Sequence, residues 1–405
     1  MRVFVIGYGQ AGGRVADAFY EYAKRTGQNF IVRALAINTA RSDLLGIKSI
    51  PMRDRLLVGD AMTKGHGIGA DNEMGAKVAT DELYTIQTAI DKRGTHEVDA
   101  FLIIASLGGG TGSGGAPVLA RRLRSLYDEP VYGLGILPAK EEGSLYSLNA
   151  ARSLMTFVNE VDNLFLFDND AWKTSGETLK EAFQGINEEI VRRFGILFGA
   201  GEANEVGQMV VDAAEVMNTL RGGGISTIGY AAEEIKGRGK GGGNGGGSGS
   251  GGGGGRGLLK RLFGRGKSDE SMEKMDATTR ITSLTRRAAA GRLTIPCDVT
   301  TAERALVIAA GPPGELNRKG VEKSKERVED LIRGTEVRGG DFPLVKSRYV
   351  STVVLFSGVS NIPRVKEIQE LGAGALEKIE EISSEKEKDY EELLDTKGTI
   401  KPLFK

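Results

Sequence analysis

The run Gly108-Gly109-Gly110-Thr111-Gly112-Ser113-Gly114-Gly115 constrains this chain more than any other stretch of its length. Residues 100–105, AFLIIA, lie just before it and form the continuous apolar run of a strand buried on both faces. Helical spacing follows over 118–126. Glycines between a buried strand and a helix leave backbone N–H groups bare, so several can point at one anion. The helix adds about half a positive charge at its N-terminus. Thr111 and Ser113 offer hydroxyl donors. No Lys-Ser/Thr pair follows the last glycine, so the run is not a P-loop. A phosphate held here must be balanced by backbone dipoles and a metal, with Mg²⁺ the expected ion. A hairpin or slack loop is the plainer reading, and the strand before and helix after argue against it.

The surrounding pattern supplies a scaffold. Residues 2–6, 30–37, 100–105, 131–137 and 164–167 read as strands. Residues 13–24, 118–126 and 144–161 read as helices between them. Such alternation predicts a parallel sheet closed by right-handed crossovers, with ligands beyond the carboxyl ends of the strands. Residues 7–13, 38–43, 108–115 and 138–143 should then line one edge together. A long helix is predicted over 177–198, with Leu179, Phe183, Ile186, Ile190 and Phe194 on one stripe. After it come a helix at 212–220 and a strand at 225–231. Further on, a helix is expected at 280–290, strands at 304–309 and 349–356, and helices at 318–333 and 364–382. These read as a smaller α/β or α+β unit.

Composition excludes several classes. The 54 Lys+Arg balance 54 Asp+Glu, which argues against a general nucleic-acid binder. One cysteine, Cys297, cannot form an internal disulfide, and two histidines cannot build a His-rich zinc site or favour a His-based triad. A reducing cytoplasm is therefore the expected setting. No stretch reaches the roughly 18 unbroken apolar residues of a membrane span, and the N-terminal MRVFVIGYGQAGG is not read as a signal peptide. Much of the glycine excess, 59 residues in all, falls in 237–257, and every charge between Lys236 and Lys267 is basic. That composition is expected of a disordered linker.

A second glycine motif, Gly7-Tyr8-Gly9-Gln10-Ala11-Gly12, follows the first strand and fits GxGxxG. A dinucleotide fingerprint also needs an acid at the end of the second strand, and Asn38-Thr39 stand there. GGGTGSG resembles the signature loop of the tubulin/FtsZ superfamily, and the chain from Arg2 to about Ile382 is similar to its archaeal CetZ group. The resemblance implies a Rossmann-like parallel-sheet GTPase domain (1–176), a long central helix (177–200) and a smaller C-terminal activation domain (201–382). The basic insertion (236–268) and a charged tail (383–405) complete this division.

Site roles follow from the resemblance one residue at a time. Gly9, Gln10, Ala11 and Gly12 match the first phosphate loop, with Gln10 near the phosphates and their Mg²⁺. Asn38 falls in the second loop. Gly69, Ala70 and Asp71 fall in the third loop, where Asp71-Asn72 replace the Asn-Pro of FtsZ. Gly108, Gly109, Gly110, Thr111, Gly112 and Ser113 form the signature loop. Glu142 matches the acceptor of the ribose hydroxyl, and Asn169 the base-reading asparagine. Phe183 would stack on guanine while Asn187, one turn on, meets its edge; an amide carries both the donor and the acceptor that this edge needs. The bound nucleotides implied are GTP and GDP.

The nucleotide loops hold no obvious carboxylate for hydrolysis. The family solution is a head-to-tail polymer, in which two acids of one subunit reach the nucleotide of the next. Asp212 and Glu215 match them, three apart at a helix start; Val210 stands where tubulin and FtsZ carry Asn. Two acids in a first turn also simply suit a helix dipole. The resemblance thus implies a GTP-hydrolysing cytoskeletal filament protein acting in cell shape or motility. Alternatives are an NAD-dependent oxidoreductase using Gly7–Gly12 and a nucleotide-binding filament protein without hydrolysis. The insertion and tail are expected to be passive, with lateral contacts, accessory proteins or an anionic membrane surface as their alternative roles.

Overall fold

Val3–Tyr8 (β1) is buried at every position and sits inside one large sheet. This computed structural model describes residues 1–173, 179–202, 209–235, 267–334 and 336–394. The other strands are β2 (Ile31–Asn38), β3 (Arg55–Leu57), β4 (Ala100–Ser106), β5 (Val131–Leu137), β6 (Asn163–Asp168), β7 (Ile225–Glu234), β8 (Arg304–Gly311), β9 (Glu336–Pro343) and β10 (Tyr349–Val359). Their order across the sheet is β3-β2-β1-β4-β5-β6-β7-β10-β8-β9. Pairing is parallel from β3 through β7. It is antiparallel on both sides of β10, and parallel again between β8 and β9. The sheet therefore runs through both halves of the chain, but its middle seam is narrow. β6 and β7 register only as Leu164↔Ile225 and Phe165↔Ser226 before they part.

Apolar cores cover both faces. One packs the helix Thr111–Leu126 and the C-terminal helices onto the sheet; the other packs Gly9–Thr26 and the central helix Leu179–Gly199. Phe194 anchors the second core, meeting Phe165 with ring centroids 4.8 Å apart and Phe19 at 5.9 Å, both edge-on. Ile186, Ile190 and Phe194 of the expected stripe are buried, whereas Phe183 is 38% exposed.

Several elements differ from expectation. The glycine run is mostly helix: Thr111–Leu126 begins inside it, and residues 107–110 alone form the loop. The later glycines serve packing. A methyl group on Gly114 would lie 2.1 Å from the Asn72 carbonyl oxygen, and one on Gly115 would lie 2.4 Å from the Tyr8 ring. Helix also starts at Gly9, directly after β1. β3 and β9 went unread, because β3 is three residues long and Glu336-Val-Arg-Gly-Gly-Asp-Phe-Pro lacks an apolar rhythm. At the end of the chain, Pro363–Leu394 is a single helix, so the expected tail at 383 is helical as far as Leu394, with exposed residues from 376 on. The helix Lys267–Ala290 likewise begins well before residue 280. The glycine-rich part of the insertion and residues 395–405 lie outside the described residues.

Candidate nucleotide site

Two helix N-termini converge at the carboxyl ends of β1 and β4, those of Gly9–Thr26 and Thr111–Leu126. Side chains stitch the loops there. Thr39 Oγ1 and Thr111 Oγ1 share a hydrogen bond of 2.7 Å. Asn149 Nδ2 donates to the carbonyls of Ala70 at 2.6 Å and Gly108 at 3.1 Å. Between Gly67 and Ala70 the backbone turns repeatedly through positive φ (85° at Gly67, 59° at Gly69, 64° at Ala70), a geometry that gathers N–H groups into an anion-binding concavity. Ala70 holds this conformation without a glycine's freedom, so the surrounding contacts impose it.

The cavity enclosed is about 380 Å³. Gly9, Gln10, Ala11, Asn38, Gly69, Ala70, Gly109, Gly110, Thr111, Gly112, Glu142, Asn169, Phe183 and Asn187 all line it. Four expected residues do not line it. Gly12 is buried against β4. Asp71 caps the helix Asn72–Asp81 by accepting the Met74 amide at 2.9 Å. Gly108 packs on Pro138. Ser113 turns its hydroxyl back to the Gly109 and Gly110 carbonyls, so it is not a free donor.

Arg14 and Tyr146 also line it and were not expected there, while Asp43, from the expected 38–43 edge, and His66, from the third loop, line it without a role assigned from the sequence. Asp43 binds two expected residues at once, accepting from Gln10 Nε2 at 2.9 Å and Asn38 Nδ2 at 3.1 Å. Its carboxylate and the Gln10 amide are oxygen donors suited to Mg²⁺, an ion usually held by one or two carboxylates and the phosphates. Among the described residues no group of three or more His, Cys, Asp or Glu could hold a metal by itself. Any ion here must share its coordination with the ligand.

At the other end of the cavity, Glu142 accepts the Ala139 amide at 2.7 Å. Burial pushes its carboxyl above the ordinary glutamate range, against the opposing pull of that amide, Arg364 and Asn169. Asn169 Oδ1 is buried without a partner among the described residues, so the wall keeps one acceptor in reserve for a ligand donor. Burial likewise raises Asp168, which lies 3.5 Å from the guanidinium of the buried Arg364. Arg364 also donates to the Pro138 carbonyl at 2.8 Å, tying the 138–143 loop to the C-terminal helix.

Asp212 and Glu215 are not at this cavity. Asp212 is exposed and Glu215 half-buried, at the start of the helix Ala213–Leu220. Burial first, then the neighbouring Asp212, raises the Glu215 carboxyl. Gly201, just beyond the central helix, is so near that a methyl group on it would lie 3.3 Å from the Asp212 carbonyl carbon. From Phe183 to Gly199 that helix rises roughly 24 Å at about 1.5 Å per residue. The acids and the cavity thus occupy opposite ends of one rod.

Comparison with known proteins agrees with this architecture. Residues 2–177 match the tubulin/FtsZ family GTPase-domain model, and residues 176–374 match the C-terminal domain model of tubulin-like CetZ. The tubulin-like protein CetZ1 of Haloferax volcanii is 51% identical over 385 residues, covering 94% of each chain. The GDP-bound monomer structure of Haloferax volcanii CetZ1 superposes with a TM-score of 0.80 at 48% identity, covering 93% of this chain and all of that one. The GTPgS-bound protofilament structure of Haloferax volcanii CetZ2 gives 0.79 at 39% identity, covering 94% and 100%. With two helix dipoles aimed into one cavity and relatives at half identity along nearly its whole length, the chain belongs to the tubulin/FtsZ family, in its CetZ group.

Proposed function

We propose that the chain is a GTP-binding cytoskeletal protein that assembles head to tail and hydrolyses GTP at the junction between subunits. The observation that carries this reading is the length of the central helix. The cavity and the acid pair sit at its two ends, so no single molecule can bring Asp212 to its own nucleotide. A second copy placed end-on can, and a heterologous contact of that kind repeats into a filament.

In this reading the amides of Gly9–Thr26, of residues 67–70 and of the Thr111 turn bind the phosphates. A Mg²⁺ bound by the phosphates beside Gln10 and Asp43 supplies charge neutralisation. Glu142 accepts a ribose hydroxyl, Asn169 and Asn187 meet the guanine edge, and Phe183 covers its face. Asp212 and Glu215 of the next subunit orient the attacking water. Similar proteins solved as a GDP-bound monomer and as a GTPgS-bound protofilament favour the same cycle. None of the described helices is long and apolar enough to cross a membrane. We assign the filament to the cytoplasm and its role to cell shape or motility.

The test is phosphate release measured across protein concentrations, with pelleting and electron microscopy in GTP and GDP. Turnover per molecule should rise as filaments form. A rate independent of concentration would remove the shared site.

A further inference from the structure

The parting of β6 and β7 opens a wedge between the two halves of the sheet, closed on one side by the central helix. Segment 293–294 lines its back, with Thr294 N–H donating to the Ile228 carbonyl at 3.0 Å. Trp172 fills the root, its indole N–H donating to the Leu293 carbonyl at 3.1 Å. Above it lies a cavity of about 660 Å³, well inside the range of small-ligand sites.

Its lining is strongly cationic. Arg192, Arg193, Arg287 and Arg292 face it, and Glu189 is the one carboxylate among the lining residues. Arg193 is 2% exposed; it pairs with Glu189 at 2.5 Å, yet its Nε has no acceptor among the described residues. Arg193 and Arg292 lie against the Trp172 ring, with guanidinium carbons 4.4 and 4.9 Å from its centroid. Stacking fixes their planes; Arg193 gives its Nη1 to the Glu189 carbonyl at 2.9 Å and its Nη2 to the Arg292 carbonyl at 3.4 Å, so it anchors the floor while the exposed Arg292 presents its N–H edge to a ligand. Outside the lining, Glu233 approaches Arg287 only at the 4.0 Å limit of an ion pair. Glu189 pairs with Arg192 at 2.8 Å as well as with Arg193, so four guanidiniums against one lining carboxylate leave a local excess of about three positive charges, two of them on the exposed Arg287 and Arg292 where a soluble anion can reach them.

We propose that this wedge binds a compact oligophosphate carrying about three negative charges. Arginine forks match phosphate oxygens in pairs, and the aromatic floor holds the forks in register without neutralising them. The site is separate from the nucleotide cavity: the lining residues of the two are different, although both include positions on the central helix.

The experiment is calorimetric titration of inorganic pyrophosphate, which carries about three negative charges at neutral pH, into the full chain saturated with GDP, so that the nucleotide cavity is already filled. One equivalent should bind. Arg287→Gln and Arg292→Gln, both at exposed positions, should each weaken it by about tenfold or more. Arg121→Gln, which removes an exposed arginine elsewhere, should change it by less than about twofold. Circular dichroism of each variant checks the fold. Absence of saturable binding, or equal binding by Arg287→Gln, Arg292→Gln and the parent, overturns the proposal. Loss of the same size in Arg121→Gln also overturns it, since that marks diffuse charge attraction.

Discussion

The Asp212 carboxylate accepts the Glu215 backbone N–H at 2.8 Å, so the acid assigned to catalysis is also the N-cap of its own helix. The two roles separate by substitution. Asp212→Asn keeps a capping oxygen, whereas Asp212→Ala loses about 1 kcal/mol of stability. If the acid acts on the neighbour's nucleotide, both variants bind GTP and both lose about 100-fold or more of assembled turnover. An Asn variant that hydrolyses at the parent rate makes Asp212 a cap alone.

Glu142 should leave a signature in pH. Its carboxyl is raised in the folded chain, chiefly by burial. A raised acid contributes stability that is fully present below the ordinary glutamate pKa of about 4.3 and is lost as pH rises through the folded value. Glu142→Gln, neutral throughout, should therefore melt higher than the parent at pH 7 without nucleotide. The gap should close toward pH 4. Thermal melts across that range check the sign, and a variant that melts lower at pH 7 contradicts burial as the main cause.

Two glycines of the signature run should behave differently. A methyl group on Gly109 meets nothing within 4 Å, while one on Gly114 lies 2.1 Å from the Asn72 carbonyl oxygen. Gly114→Ala should cost about 1–3 kcal/mol as the two helices are forced apart. Gly109→Ala should stay within about 0.5 kcal/mol. Urea unfolding of nucleotide-free protein measures both.

Phe183 is the base platform in the proposed site, and its exposure separates this from a core role. Phe183→Ala should weaken GDP binding by about 1–3 kcal/mol, the range of base–aromatic stacking. The melting temperature of the free chain should change little, since the ring is 38% exposed without a ligand. A large loss of stability with unchanged affinity would return Phe183 to the core.

What was legible in the sequence had local causes. The buried strand before the glycines, the helix after them and the stripe of the central helix each follow from spacing within about twenty residues. The caps are just as local, each acid three residues before the amide it accepts, yet Asp71 was expected at the cavity and Asp212 as a catalytic acid or dipole partner; the structure adds the capping role. The roles that went unassigned depend on partners far along the chain. Asp43 reaches Gln10 over 33 positions, and Asn149 reaches Ala70 over 79. An isolated Asp or Asn carries no sign of such a partner. β9 was missed for a related reason: an edge strand with two glycines and a proline is specified by its neighbour β8, not by its own pattern.

The amino-acid sequence alone determined the strand–glycine–helix turn proposed to bind phosphate, because bare amides at a helix start need only glycines between a strand and a helix. Tertiary structure decided which of those glycines face the cavity and which let two helices touch. It also decided that Ser113 spends its hydroxyl on its own turn while Asn169 keeps an acceptor free. Above all it put the acid pair and the cavity at opposite ends of one helix. That distance comes from how the rod is packed through the sheet, and no spacing along the chain encodes it.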